Sequence, residues 1–210
     1  MTQHNSDTNN TVILKPLKTR LIPALTGIFI GASMMVSGVA NADNGMAELK
    51  KVLQSQIELM KPELQDKVKA LSTDTKMSLM AILAMHSRYS DKATLRQVML
   101  EVLNDYQGMV MGIMTDSVEM TTDSARRLAN HRIPVGGLLP YMGMENITDD
   151  RLAVLEGFND SVEGNANKLA AAAEAGDMAT AASLLGSISS GCVGCHAVFR
   201  SLPGKSDLLK

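Results

Sequence analysis

The chain has 210 residues, 45% of them hydrophobic and 20% charged, with a formal net charge of −2. That is enough for one core and an added subdomain and too little for several large domains, and the lack of a basic excess argues against nucleic acid or an anionic membrane as partner. Aromatic residues make up only 3% and Trp is absent, so the core must come from Leu, Met, Val, Ile and Ala, which points to helix packing and an all-α fold.

Lys15, Lys18 and Arg20 precede an apolar run from Leu21 to Val36, and Ala40-Asn41-Ala42 follows as a small-x-small cleavage site. The expectation is an export signal peptide over residues 1–42, a mature periplasmic chain from Asp43, and no stable membrane insertion after cleavage. A transmembrane anchor is the alternative, opposed by Pro23 and the cleavage site. Losing Lys15, Lys18 and Arg20 with only Asp7 leaves the mature chain more acidic.

Residues 43–89 read as an N-terminal helical extension. Met46, Leu49, Leu53, Ile57, Met60, Leu64, Val68 and Leu71 recur at helical spacing, and Pro62 predicts a kink or two helices meeting near Lys61. Ser72 to Asp74 break and cap, and Met77 to Met85 follow as a short helix, apolar on nearly every side and expected to be buried.

Residues 90–210 read as a second domain. Ser90 and Asp91 give a start signal for a helix with Leu95, Val98, Met99, Val102, Leu103, Tyr106, Val110, Ile113 and Met114 on its stripe. Thr115 or Asp116 caps the next helix, which must stop before Pro134, and Arg132 to Asn146 form a crossing loop. Thr148 caps a third helix running through Leu152, Leu155, Phe158, Val162, Ala166, Leu169 and Ala173. Gly176-Asp177 is the hinge into a fourth, with Ala181, Leu184, Leu185, Ile188, Cys192, Cys195, His196 and Phe199. Four amphipathic helices with one longer crossing describe an antiparallel four-helix bundle.

The chemistry lies at Cys192-Val193-Gly194-Cys195-His196, which holds both cysteines of the chain. C-x-x-C-H is the attachment signature of c-type haem, with thiols spaced to meet two vinyl groups and an imidazole for the iron. On one helix the thiols are i and i+3 and the imidazole is i+4 from the first, so all three share a face. A thioredoxin-like dithiol lacks its strand-to-helix turn, and a zinc site lacks further ligands at suitable spacing. The run Met109 to Met114 reads as packing rather than a Cu(I) site. His131 reads as exposed at a helix end, and His86 as the end of the Met-rich helix.

Cys192-Val193-Gly194-Cys195-His196-Ala197-Val198-Phe199-Arg200 resembles the C-terminal motif of the cytochrome c-prime family, which includes low-spin members with a methionine ligand. The resemblance extends to Leu95-Arg96-Gln97-Val98-Met99 and Ala175-Gly176-Asp177 and covers roughly residues 91–204. It implies one haem c held by thioether bonds from Cys192 and Cys195, His196 as proximal iron ligand, and Arg200 beside the haem rim. It also puts the sixth iron position on the helix of residues 95–114. There, alignment from Arg96 favours Leu100, and the core stripe favours Met99.

Two functions compete, with a structural or assembly subunit, in which the extension matters more than the haem, as a third reading. A periplasmic electron carrier has His196 and Met99 as axial ligands and redox proteins as partners; a five-coordinate haem protein binds a small gas such as NO or CO, with an apolar residue over the iron. No acid–base or nucleophile constellation is visible, so no enzyme is expected. Residues 43–89 exceed the family's pattern, and three roles are open to them: covering the distal side, a homodimer contact, or docking a redox partner.

Overall fold

The computed structural model describes residues 37–199 and Leu209. The expected signal segment, apart from Ser37–Ala42, and Arg200 lie outside the described residues. Within them the secondary structure is helical, with no strand beyond two isolated bridges.

The first helices follow their punctuation. Helix α1 (Ser37–Glu58) ends before Pro62, which begins α2 (Pro62–Ala70) at the position where a missing N–H costs nothing. Two helices therefore meet at Lys61. Ser72 caps α3 (Thr73–Ala84), its hydroxyl accepting from the amide of Thr75. The expectation that this Met-rich helix is buried is not met: α3 has no buried residue, and Met77 and Met85 are 55% and 51% exposed. Among the described residues it is covered on one side only, where Leu79 and Ile82 meet the core.

Helix α4 (Leu95–Met114) starts at Thr94, whose hydroxyl accepts from the Gln97 amide while Gln97 Oε1 accepts from the Thr94 amide. Ser90 instead turns the preceding loop, its hydroxyl accepting from the amides of Lys92 and Ala93. Ser117, rather than Thr115 or Asp116, caps α5 (Val118–Ala129). Asp116 lies between them with φ of +54°, a left-handed turn.

The third helix is broken. Thr148 caps α6 (Asp149–Leu152), α7 (Leu155–Asn159) follows, a π turn spans Asp160–Gly164, and α8 (Asn165–Glu174) completes it. Gly176, with φ of +77°, ends that run, and Asp177 caps α9 (Met178–Phe199) by accepting from the Thr180 amide.

Helices α4, α5, α8 and α9 form a closed ring, each packed on the next. Cross-contacts fix the directions. Arg127 meets Asp105 at 2.8 Å across α4 and α5, Arg126 pairs with Glu174 and His131 with Glu163 across α5 and the π turn and α8, and Gly191 abuts Ser161 and Val162 across α9. The two contacts of α5 with the α8 run take opposite chain order, and the short turns between α4 and α5 and between α8 and α9 reverse the chain, so neighbours in the ring are antiparallel. Met109, Ala125, Leu128, Leu169, Ala181 and Ile188 fill its interior.

A second core cluster joins the extension to the same unit. Met60, Leu64, Val68 and Leu71 pack with Leu139, Met142 and Ile147 of the crossing loop, Leu152 and Leu155, and Phe199 at the end of α9. The crossing loop is thus an anchored segment carrying two short 3₁₀ turns. Asp149 reinforces the junction, accepting from the Ser72 amide at 3.0 Å and the Thr75 hydroxyl at 2.6 Å.

Candidate cofactor site

The C-x-x-C-H motif sits on the last turns of α9, where the two core clusters adjoin. Cys192 packs against the ring interior and Cys195 against the cluster built with the extension. Both are free and half-buried, and His196 is exposed, with no hydrogen-bond partner among the described residues. Burial, then the Glu163 carboxylate, raises the Cys192 thiol; the same causes and Cys192 push Cys195 up to about 11. Both are neutral thiols at physiological pH.

Two glycines let the π-turn segment close on the motif. A Cβ on Gly191 would lie 2.8 Å from Val162 Cγ2 and 2.9 Å from Ser161 Cβ, and one on Gly194 would lie 2.9 Å from the Phe158 ring. Phe158 in turn meets Phe199 edge-on, ring centres 6.3 Å apart. One side of α9 is therefore sealed by protein.

Among the described residues the opposite side is not. Helix α9 is long and apolar enough to cross a membrane by length and composition alone, yet only 17% of its most apolar stretch is buried. Among the four pairs of the ring, α4 and α9 touch least. Their seam is held by Tyr106 and Ser189, whose hydroxyls are 2.6 Å apart, and its rim carries exposed Leu103 and Val193.

That hydrogen bond sets the register. Met99 precedes Tyr106 by about two turns and His196 follows Ser189 by about two turns, so in an antiparallel pair they come to the same level. At about 100° per residue, Met99 and His196 each fall about 20° from the meridians of Tyr106 and Ser189. Both face the seam. Leu100 lies about 120° from Tyr106 and is 59% exposed, on the outer side of α4.

The residues present suit a haem: two free thiols one turn apart, an open imidazole beside them, a thin apolar-rimmed seam, and a thioether at the imidazole's level. Compared with known proteins, the chain matches no family model, no curated protein and no solved structure.

A second cluster escaped the sequence reading. Hydrogen bonds between Asn130 and Ser87, and the backbone pairing of Arg88 and Ser90 with Ile133, zip the segment before α4 to the end of α5. This brings His86 and His131 together with ring centres 4.6 Å apart. The π turn supplies Glu163, whose Oε1 is 3.1 Å from His131 Nε2. His131 is not exposed: its side chain is 16% accessible and that of Glu163 13%.

The two imidazoles are tuned oppositely. Burial, then His131, lowers the His86 pKa. Burial also acts to lower that of His131, but the hydrogen bond and charge of Glu163 and the Arg132 carbonyl outweigh it, so the net shift is upward. No sequence motif links residues 86, 131 and 163.

Proposed function

We propose that the protein is a periplasmic c-type cytochrome of the c-prime kind, a four-helix bundle of α4, α5, α6 to α8 and α9 carrying one covalent haem and transferring electrons. The carrying observation is the C-x-x-C-H motif on an under-covered apolar helix, with its His196 level with Met99 across the α4–α9 seam. Haem c, once attached, supplies one-electron redox chemistry at its iron.

The chain's own residues do the rest. Cys192 and Cys195 anchor the group through their sulfurs, and their neutrality at physiological pH keeps them from oxidising or capturing stray metal before attachment. His196 offers an imidazole nitrogen to the iron, and Met99 offers a thioether from the opposing helix, a ligand that favours a raised reduction potential. Tyr106 and Ser189 hold the seam at a fixed width below, while Phe158 and the π turn keep water from the other flank. The rim of Leu103 and Val193 leaves an edge for a redox partner protein. Leu100, turned outward, is poorly directed for capping the iron, which weighs against a five-coordinate gas-binding site.

The test is expression with the c-type maturation machinery, followed by haem staining of the denatured chain and optical and EPR spectra of the purified protein. One covalent haem with low-spin ferric iron is expected. A chain that takes no covalent haem overturns the proposal, and a high-spin ferric spectrum overturns its ligand set in favour of the gas-binding reading.

A further inference from the structure

The geometry points to a divalent transition-metal site, suited to Zn2+, formed by His86, His131 and Glu163 and separate from the haem motif. One ligand atom from each lies within 4.8 Å of the others. Zinc bonds of ~2.0–2.1 Å in a tetrahedron space ligand atoms by about 3.3 Å, so a modest rotation of one ring closes the set. Two imidazoles and a carboxylate form a donor set zinc takes readily and hard cations such as Mg2+ do not.

Two observations beyond the clustering indicate a ligand. His86 is only 5% exposed, yet its Nε2 is buried with no hydrogen-bond partner among the described residues. An imidazole nitrogen left so is costly unless something occupies it. The other nitrogen is spoken for: His86 Nδ1 is 3.0 Å from the Ile82 carbonyl, and His131 Nδ1 is 2.9 Å from that of Arg132. At His86, donation from Nδ1 to a carbonyl leaves the unpartnered Nε2 lone pair facing inward, the arrangement that orients histidines on metals, whereas at His131 a metal takes the place of the proton that Nε2 shares with Glu163. A further orphaned acceptor lies one turn before Glu163. Asn159 Oδ1 is buried without a partner among the described residues, on a side chain whose Nδ2 reaches the sulfur of Met85, the residue before His86.

The three ligands come from three segments: the linker before α4, the end of α5, and the π turn. A metal there ties the extension side of the molecule to the ring, so it acts as a structural clamp. The π turn fits this role, since its extra residue per turn re-aims side chains, and such bulges recur at functional sites. With only three protein ligands secured, a water or Asn159 completes the coordination.

The test does not depend on the haem proposal. Purified haem-loaded protein, or the C192A/C195A chain if no haem attaches, is stripped with EDTA and titrated with Zn2+, bound metal being counted by mass spectrometry after dialysis. Either form keeps the motif thiols from competing. One Zn2+ per chain is expected, with a rise in melting temperature and Mg2+ giving neither, and E163Q, H86Q and H131Q should each weaken binding by roughly tenfold or more. E163Q preserves shape and charge-free hydrogen bonding, so it decides the matter should a histidine variant fail to fold. Failure of the parent protein to retain Zn2+, or an affinity unchanged in E163Q, overturns the site.

Discussion

The close contact between α9 and the π turn is open to a matched test with Gly191→Ala and Gly186→Ala. Both replace a glycine inside the same helix, and each gains about 1 kcal/mol from helix propensity. They differ in surroundings: a Cβ at Gly186 meets nothing within 4 Å, whereas one at Gly191 is 2.8 Å from Val162 Cγ2, 2.9 Å from Ser161 Cβ and 3.2 Å from the Ser161 carbonyl carbon. Reaching normal carbon contact of about 3.5–4.0 Å requires moving backbone, because Ser161 is approached at its main chain. Overpacking of that kind costs about 1–3 kcal/mol. The net expectation is G186A about 1 kcal/mol more stable than the parent, G191A from about neutral to about 2 kcal/mol less stable, and a gap of about 1–3 kcal/mol. At about 2–4 °C per kcal/mol for a chain of this size, their melting temperatures should differ by roughly 2–12 °C. Thermal unfolding followed by far-ultraviolet circular dichroism reads this directly. Equal melting temperatures, or a higher one for G191A, would refute the close packing of the π turn on the motif.

Other predictions bear on the chemistry. Met99→Ala should convert low-spin ferric iron to high-spin and lower the reduction potential, whereas Leu100→Ala should leave both unchanged; EPR and redox titration distinguish them, and the reverse pattern would make Leu100 the distal residue. In protein expressed without haem, Cys195 should alkylate at pH 8 on the order of a hundredfold slower than an ordinary thiol, since a pKa of about 11 leaves little thiolate. Iodoacetamide labelling read by peptide mass spectrometry checks this, with Glu163→Gln expected to speed it. Because the folded pKa of His131 is raised, its pairing with Glu163 stabilises fully below the unfolded value of ~6.5 and loses that effect as pH rises through the folded value. His86, lowered by burial, acts in the opposite sense, losing stability as pH falls below ~6.5. With metal chelated, the stability lost in E163Q by urea unfolding should therefore be larger at pH 6 than at pH 9. An equal loss at both would contradict the ion pair.

Elements whose boundaries are marked by local chemistry were readable from sequence. Pro62 marked a kink or a junction of two helices near Lys61 and the junction is what forms, Gly176-Asp177 ends one helix and caps the next, and the stripe from Leu95 to Met114 matches α4 end to end. Capping residues were misassigned by a few positions where several polar candidates adjoin, as at Ser90 and Thr94, because any of them can accept an amide and only the tertiary path selects one. The apolar stripe from Leu152 to Ala173 concealed the breaks around Val154 and the π turn. Periodicity averages over a long window and does not register one extra residue in a turn.

The metal-type cluster shows a different limit. His86, His131 and Glu163 lie on separate segments, and their association depends on Asn130 holding Ser87 and on Ile133 pairing with Arg88 and Ser90. The expected exposure of His131 failed for the same reason. A helix end reads as solvated until another segment covers it.

By itself the sequence determined the helical class, the hinge before α9, and the constellation of Cys192, Cys195 and His196, because each depends on residues within a turn or two of one another. The tertiary structure decided which face of α4 meets α9, with Leu100 left 59% exposed on the outer side, and which distant imidazoles share a carboxylate. Those choices rest on a few long-range contacts, such as Tyr106 with Ser189 and His131 with Glu163, that set the register between helices. Local spacing fixes the faces of one helix but leaves its level and rotation against a neighbour free until packing removes that freedom.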